Sequence, residues 1–497
     1  MTRVLVVAPM FINDERRGPG IRSWELARVL SQDHQVSLLV PNDDHPLHAD
    51  FVVRSCPRAE AGAEILDLLL AEHEVIVIQG PALQTYPRLA EILAAGEHYL
   101  VVDLYDPITL EQLAVDTGGQ IGRWLHLEYT ALLNEQLRLG DFFLCATEQQ
   151  RDYWLGALAA LGRLNHDTWD DDEFRHLIDV VPFGLPAESP PAPSEPVLKG
   201  TVPGIDPGDK VILWGGGLWD WLDPLTPVRA MERVAAARPE ARLVFFRLAK
   251  GWSAMSERTW QLAAELGLLD RHVLFVPWLP PERWPACLSE ADVGLSFHRA
   301  GIETHFAFRT RLLDYIWAGL PTVAAGGDAL GELVAGHGLG HVVEPGDTEG
   351  LAEALISLLE EGDARRSRRD AFRQVAASLT WEQVARPLAD YVAQPWHAGD
   401  AGPGFAPRWL AAEHDRLLAQ TAHASRWRRE AEAYARALEG HLAAEREKTG
   451  QLQSELETMA RQLRQSEEHF QAAMNGRVMR LMISLQRAWR RLWGERP

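Results

Sequence analysis

Short apolar runs recur along residues 1–395, separated by amphipathic stretches. Val4–Ala8, Val36–Val40, Val75–Gln79, Tyr99–Asp103, Phe142–Ala146 and Ile178–Pro182 are the runs in the first part of the chain. A run without polar alternation predicts a strand buried on both faces of a parallel sheet. Helical periodicity fills the gaps at Ala61–Ala71, Pro87–Ala95, much of Leu110–Leu139 and the stretch from Glu148. The segment LPAESPPAPSEPVLKG, Leu185–Gly200, is proline-rich and has no apolar period, so it reads as an extended linker. The alternation then restarts with strands at Val211–Trp214, Leu243–Phe246, Val273–Val276, Val293–Ser296 and Thr322–Ala325, and helices at Glu257–Leu266 and Glu282–Ser289. Strand and helix in turn predict an α/β chain with two Rossmann-like, doubly wound parallel-sheet domains, 1–185 and 201–395, joined by a linker at 186–200. Ligands are expected in the cleft between them, beyond the carboxyl ends of the strands. A last helix at Thr380–Val392, carrying Trp381, is placed to pack across the domain junction.

The stretch Phe308–Thr322, FRTRLLDYIWAGLPT, concentrates chemistry. Leu312, Leu313, Ile316 and Trp317 recur at helical spacing, and Gly319 with Pro321 stops the helix before the strand. Arg309, Arg311 and Asp314 sit at or just before the helix start. There backbone N–H groups favour an anion, arginine forks match phosphate, and a carboxylate accepts from vicinal hydroxyls. Phosphate plus diol points to a nucleotide. On these residues alone, solvated arginines and an ordinary surface or helix-start acid are the reading to prefer.

Other candidates lie at strand ends. Gly215, Gly216 and Gly217 follow the first strand of the second domain, where a backbone can approach a ligand closely. Lys250 follows the next strand, Trp278 the third, and His298 and Glu303 the fourth. In the first domain Gly18 and Gly20 form a glycine turn opening onto a helix that carries Arg22, an anion-friendly arrangement. Asp103, Tyr105 and Asp106 lie at a strand end and are candidates for polar substrate groups. Asp106 before Pro107 also reads as a turn-shaping cap.

Composition narrows the classes. The 497 residues exceed one core, and the 18 tryptophans include several beside glycine or proline, mostly packing residues with a minority available for stacking on a sugar or base. Three cysteines, Cys56, Cys145 and Cys287, are widely spaced and odd in number, which supports neither a disulfide framework nor a zinc cluster and fits the cytosol. The opening MTRVLVVAPMF reads as a strand rather than a signal peptide, and no apolar run is long enough to span a bilayer. Residues 1–400 hold 33 Lys/Arg against 58 Asp/Glu, while 401–497 hold 16 against 12. So acidic a body excludes nonspecific nucleic-acid binding by it.

The helix LLDYIWAGLPTV resembles the donor-binding segment of GT-B glycosyltransferases, in particular glycosyltransferase family 4, whose carboxylate is followed five residues later by Gly-x-Pro. Asp314, Gly319 and Pro321 keep that spacing. ADVGLSFH, Glu303, FRTR, EPGD at Glu344–Asp347, GGGLWDW and DLYDP are similar to members from surface-polysaccharide clusters, the O-antigen, capsule or exopolysaccharide kind. The resemblance covers residues 1 to about 395. It implies transfer of a sugar from a nucleotide diphosphate sugar to a saccharide or lipid-linked acceptor hydroxyl, retaining in stereochemistry and without metal or other cofactor. It places Asp314 on the ribose, the backbone of Leu312 and Leu313 and Gly215–Gly217 at the diphosphate, and the backbone of Val276–Leu279 at the base. Cationic side chains then neutralise the leaving group. The family's earlier glutamate falls on Phe306, leaving Glu303 as a displaced substitute. Trp219 and Asp220 stand where its cations follow the glycines, so Arg309, Arg311 or Lys250 must supply charge. Tyr105-Asp106 replaces His-Asp. Glu303, Arg309 and Asp106 are the catalytic candidates. The alternative is the same fold used as a sugar-nucleotide epimerase or a binding scaffold.

Beyond AGPGFAP the tail is rich in Ala, Glu, Arg, Gln and Leu. Leu442, Leu452, Leu456, Met459, Leu463 and Phe470 keep alternating three- and four-residue spacing, with Glu445 and Ser466 on the same seam. A coiled coil over 396–475 pairing two copies and a single solvated helix both fit. Residues 476–497 set Arg477, Arg480, Arg487 and Arg491 against Val478, Leu481, Met482, Leu485, Trp489 and Leu492. That is the pattern of a basic helix lying on a membrane surface, peripheral at the inner face of the cell membrane; a partner-docking helix is the other reading.

Overall fold

The computed structural model describes residues 1–12, 18–42, 49–56, 63–114, 120–192, 195–247, 253–361, 364–401, 458–472 and 476–492. Two compact units result, Met1–Pro407 and Arg408–Pro497.

The first unit contains both expected sheets. β1 (Arg3–Val7), β2 (Gln35–Val40), β3 (Val52–Ser55), β4 (Val75–Gln79), β5 (Tyr99–Asp103), β6 (Phe142–Cys145) and β7 (Ile178–Val180) form a sheet ordered β3-β2-β1-β4-β5-β6-β7. β8 (Lys210–Leu213), β9 (Ala241–Arg247), β10 (Val273–Pro277), β11 (Val293–Ser296), β12 (Thr322–Ala325) and β13 (Gly340–Val343) form the second, ordered β10-β9-β8-β11-β12-β13. Each pairing within the two sheets is parallel. The strand order reverses between β1 and β4 and again between β8 and β11. Both reversals open crevices at the carboxyl ends of the strands. The central strands are buried on both faces, as their apolar runs require: every residue of β4, β6, β11 and β12 is buried.

β3 and β13 do not stand out in the apolar pattern. Both are edge strands, and each has only two strongly apolar residues, VVRS and GHVV. Their registers come from the neighbours they pair with, Ser37 to Val40 and Thr322 to Ala325.

The final helices cross back to the first sheet domain. Trp381 is buried, its ring 4.8 Å from Phe183, and its indole and backbone fill the space a Cβ on Gly184 would need. Tyr391 stacks on Phe142 at 4.8 Å, Thr2 Oγ1 donates to Val392 O, and Asp400 pairs with buried Arg163. The linker is anchored at its end, where the N–H groups of Val197, Leu198 and Lys199 all donate to the Glu290 carboxylate at 2.6–2.9 Å. The closing helices are thus fastened to the first sheet domain, and the linker's end to the second.

Of the second unit, 458–472 and Arg477–Leu492 are helical, and Met459, Leu463 and Phe470 are exposed. Residues 402–457, with the first half of the expected seam, lie outside the described residues. Among the described residues no helix is long and apolar enough to cross a membrane.

Candidate active site

The helix at the heart of the sequence argument runs Arg311–Trp317. It ends because Gly319 adopts φ +60°, which lets Leu320 N–H reach Tyr315 O at 2.8 Å and Gly319 N–H reach Ile316 O at 3.1 Å. This paired closure consumes carbonyls the helix end would leave bare. Leu312, Leu313 and Ile316 anchor one face in the core, leaving Arg311 and Asp314 turned toward the β8 turn.

Tyr315, which local pattern does not single out, organises that turn. Its hydroxyl accepts from Gly215 N–H at 2.7 Å and donates toward Leu213 O and Leu295 O at 2.9 and 3.1 Å. One buried phenol thus ties the ends of β8 and β11 to the helix, across the strand-order reversal. The ring lies against Gly294, where any Cβ would come within 2.6 Å of it. A sequence signal for this exists only in the pairing of a strand glycine with a helix tyrosine.

Around the turn the chemistry converges. Arg311 lies over the Trp214 ring at 4.7 Å and donates from Nη2 to Gly217 O at 3.2 Å, while Nη1 is buried without a hydrogen-bond partner. Burial, with Arg309 adding repulsion, lowers its pKa to about 10. Arg311 thus brings a guanidinium to Gly216 and Gly217, where the neighbouring sequence carries no cation. Asp314 Oδ2 accepts from Trp284 Nε1 at 3.0 Å. Burial raises its carboxyl from 3.8 to about 6, and the Trp284 bond and Arg311 hold it from rising further. Trp284 is a second residue missed, on a helix whose only sequence signal was its apolar face.

A second cluster stands beside it. Arg309 Nη2 donates to Glu303 Oε2 at 2.6 Å, and Nε lies 3.9 Å from Asp328 Oδ2. Glu303 Oε1, Arg309 Nε and Asp328 Oδ2 are buried without hydrogen-bond partners. His298 Nε2 is 3.2 Å from Gly326 O and so carries the ring proton; Nδ1 faces Asp328 at 3.6 Å. Burial, then Arg309, drives His298 down to about 3, so the imidazole is neutral. Burial lifts Asp328 to about 6. Asp328 also caps Ala329–Gly336 through a 2.6 Å bond from Gly331 N–H. Its place after Gly326-Gly327 at the end of β12 was the overlooked signal.

The first domain meets this cluster. Gln150 Nε2 donates to Tyr105 O at 2.8 Å and to Phe306 O at 2.7 Å, and the Tyr153 ring lies 4.8 Å from Phe306. Phe306 is thus an interdomain contact, and Glu303, one turn earlier, is the acid that faces Arg309. From the other side comes Glu111 of the helix Ile108–Ala114, raised to about 7 by burial and by Glu303, with Arg309 pulling it back. Burial likewise raises Asp106, with Glu111 adding to the effect, and Tyr105 bonds the Asp106 carboxyl.

Other expected site residues sit differently. Arg22 and Asp103 are spent on each other in a buried bidentate pair, Nε to Oδ2 at 2.6 Å and Nη2 to Oδ1 at 2.9 Å, and Arg22 also donates to Val181 O and Pro182 O. Four of the five Arg22 N–H groups, one from Nε, two from Nη2 and one from Nη1, are thus bonded within the protein, and the side chain is buried. A pair of residues 81 positions apart is invisible to local pattern. Gly18 and Gly20 do not precede the helix as a loop; Gly18–Leu30 is helical from Gly18 onward. The N–H groups of Leu312 and Leu313 donate to Arg309 O and Thr310 O at 3.0 Å, so they are not free for a diphosphate. Trp278 is part-exposed beyond β10, its ring 6.0 Å from Phe246. Gly216 has φ +111° and faces the Arg311 guanidinium. Lys250 lies outside the described residues.

The solved sucrose-phosphate synthase from Thermosynechococcus elongatus superposes with a TM-score of 0.58 over 79% of this chain and 99% of its own, at 14% identity. Anabaena HepE, solved in complex with UDP-glucose, superposes with a TM-score of 0.57 over 79% of this chain and 100% of its own, also at 14% identity. The fold is GT-B. Residues 209–361, the second GT-B domain, match the family described as Glycosyl transferases group 1. A D-inositol 3-phosphate glycosyltransferase of Nocardia farcinica is 32% identical over 245 residues, 46% of this chain and 51% of that protein. The chain thus spans about half the length of this curated relative.

Proposed function

We propose that the protein is a glycosyltransferase that moves a sugar from a nucleotide diphosphate sugar to an acceptor hydroxyl, with retention of anomeric configuration. One observation carries this reading: Asp314, Arg311 and the glycine turn meet at the strand-order reversal of the second GT-B domain, opposite the acids of the first. The family match over 209–361 and the glycosyltransferase relative support it. Asp314 holds the ribose diol, Arg311 and Arg309 meet the diphosphate, and Glu303 faces the transferred sugar. Asp106 and Glu111 border the acceptor side. Positive charge aimed at a leaving diphosphate in a water-poor cleft is the largest lever such a site has. No comparison favours an epimerase or a scaffold.

UDP-glucose is the first donor to try, because HepE was solved in complex with it. Saturating donor is expected to raise Tm, since a ligand at about 100 Kd adds about 2.7 kcal/mol. Free nucleoside diphosphate should then appear only with acceptor present. No Tm rise and no transfer across a panel of sugar nucleotides would overturn the reading.

Work on cell-surface polysaccharide or glycolipid belongs to the same proposal, as does a peripheral place at the inner face of the membrane. Arg477–Leu492 supports the latter, with five arginines, no acid, and Val478, Leu481, Met482, Leu485 and Trp489 all more than half exposed. Co-sedimentation with phosphatidylglycerol vesicles should be strong at low salt, weaken as salt rises, and vanish when 476–497 are deleted. Binding that survives the deletion refutes it. Pairing of two copies through a coiled coil over 396–475 is part of the same proposal; Met459, Leu463 and Phe470, in its described stretch 458–472, are exposed.

A further inference from the structure

An acid that accepts from a diol works best ionised, yet Asp314 is half-buried, where desolvation favours the proton. Something must hold it ionised. Arg311, three residues earlier on the same helix, has its guanidinium over the Trp214 ring and donates to Gly217 O. The direct bond comes from the other side, Trp284 Nε1 to Asp314 Oδ2 at 3.0 Å. That bond opposes the effect of burial on Asp314 more strongly than Arg311 does. Tyr315 beside the acid and Cys287 on the helix Trp284–Glu290 are the other titratable groups that feel it, and burial raises both, so they stay neutral.

An indole N–H donates and cannot accept, so it favours a carboxylate over a carboxylic acid. A carboxylate has about four lone-pair sites, and one indole bond leaves room for a pair of ligand hydroxyls. Packing fixes where the N–H points. Ala286, Cys287 and Leu288 bury the inner face of the helix, and Phe246 meets the Trp284 ring edge-on at 5.5 Å and 65°. On another side lies Gly215, where a Cβ would come within 3.2 Å of Trp284 Cζ2. One ring thus touches both the glycine turn and the acid. An N–H held this way needs no ordering when ligand arrives.

We propose that Trp284 is the positioning residue of the donor site: its indole N–H holds the Asp314 carboxylate ready for the ribose diol and sets the pH below which sugar nucleotide binding fades. The inference rests on the transferase reading for the diol. The bond itself is testable without ligand.

The first measurement follows the indole N–H signals of the unliganded full chain by ¹H–¹⁵N NMR as pH varies. One indole signal is expected to titrate near 6 in wild type, to stand still in Asp314→Asn, and to be the signal missing from Trp284→Phe. The comparison of wild type with Asp314→Asn holds even where Trp284→Phe does not fold. No indole signal that titrates with Asp314 overturns the inference.

The second measurement is binding of UDP-glucose, then of the other sugar nucleotides of the panel, by calorimetry. Loss of the N–H should lift Asp314 by about one unit, a tenfold change in its proton affinity. The Kd ratio of Trp284→Phe to wild type should therefore rise about fivefold between pH 8 and pH 6. Glu111 and Asp328 titrate in the same range in both proteins and cancel in the ratio. In the Asp314→Asn background the ratio should be flat. A ratio that is flat with Asp314 present makes Trp284 a packing residue and overturns the inference. No sugar nucleotide bound by wild type at any pH sinks the transferase reading itself, while the titrating indole would still establish the Trp284–Asp314 bond.

Discussion

Asp314→Asn is expected to weaken sugar-nucleotide binding by about 10–100-fold, the worth of charge-assisted hydrogen bonds at 1.5–3 kcal/mol, and yet to make the unliganded protein more stable at neutral pH. The two effects share one cause. The carboxyl sits where burial lifts its pKa from 3.8 to about 6, so the folded protein prefers the protonated acid. A raised carboxyl pKa costs nothing below the unfolded value. The penalty grows as pH rises through the window from about 4 to 6, and above it is complete at about 1–3 kcal/mol. Asparagine carries no charge to bury, and its Oδ1 still accepts from Trp284 Nε1. Urea unfolding should therefore show the variant equal to or below wild type near pH 4 and above it at pH 7.5. Ribose hydroxyls donating to the carboxylate offset the penalty in the complex, so saturating donor should close the gap. A variant that is less stable at pH 7.5, or that binds donor unchanged, would remove Asp314 from the role assigned to it. Stability held back at one acid until ligand arrives is the trade expected of a functional site.

Legibility in the sequence followed burial. Central strands of parallel sheets are apolar throughout, so β1, β4, β5, β6, β8, β11 and β12 show as runs, whereas edge strands β3 and β13 borrow their order from a neighbour. Site residues were legible where the chain itself sets them side by side. Arg309, Arg311 and Asp314 share one helix start, and Glu303 is six residues from the arginine it bonds. Residues whose role depends on what approaches from afar were misread. Arg22 looked like an anion ligand because its partner Asp103 comes from another strand end. Glu111 gave no signal because its neighbours Glu303 and Arg309 belong to the other domain. Tyr315 is core, but its hydroxyl holds the glycine turn in place, which no neighbouring residue signals. The candidate site is thus a local motif completed by long-range contacts, and only the first part is written in consecutive residues.

Arg309→Ala carries the largest expected loss. The guanidinium is the positive centre of a buried acid cluster, 2.6 Å from Glu303 Oε2 and 3.9 Å from Asp328 Oδ2, and it also moderates Glu111 across the domain junction. Removing one member of a buried ion pair leaves the other charged and unpaired, at a cost of about 3–5 kcal/mol. Removing a cation aimed at developing phosphate charge lowers turnover by about 10²–10³. Loss of both in one variant does not tell a structural arginine from a reacting one. The double variant Arg309→Ala with Glu303→Gln does, when it is compared with Glu303→Gln alone, which carries whatever Glu303 itself does at the transferred sugar. Neutralising Glu303 removes the main unpaired charge, so unfolding measurements should recover most of the lost stability, a coupling expected of groups in direct contact. Turnover should stay well below that of Glu303→Gln alone, because the diphosphate still lacks its cation, while the fold is restored. Arg309→Lys, which keeps a charge without the planar fork, should fall between them. If the double variant regains turnover along with stability, Arg309 only holds the cluster together, and Arg311 over the Trp214 ring is left as the described cation at the diphosphate.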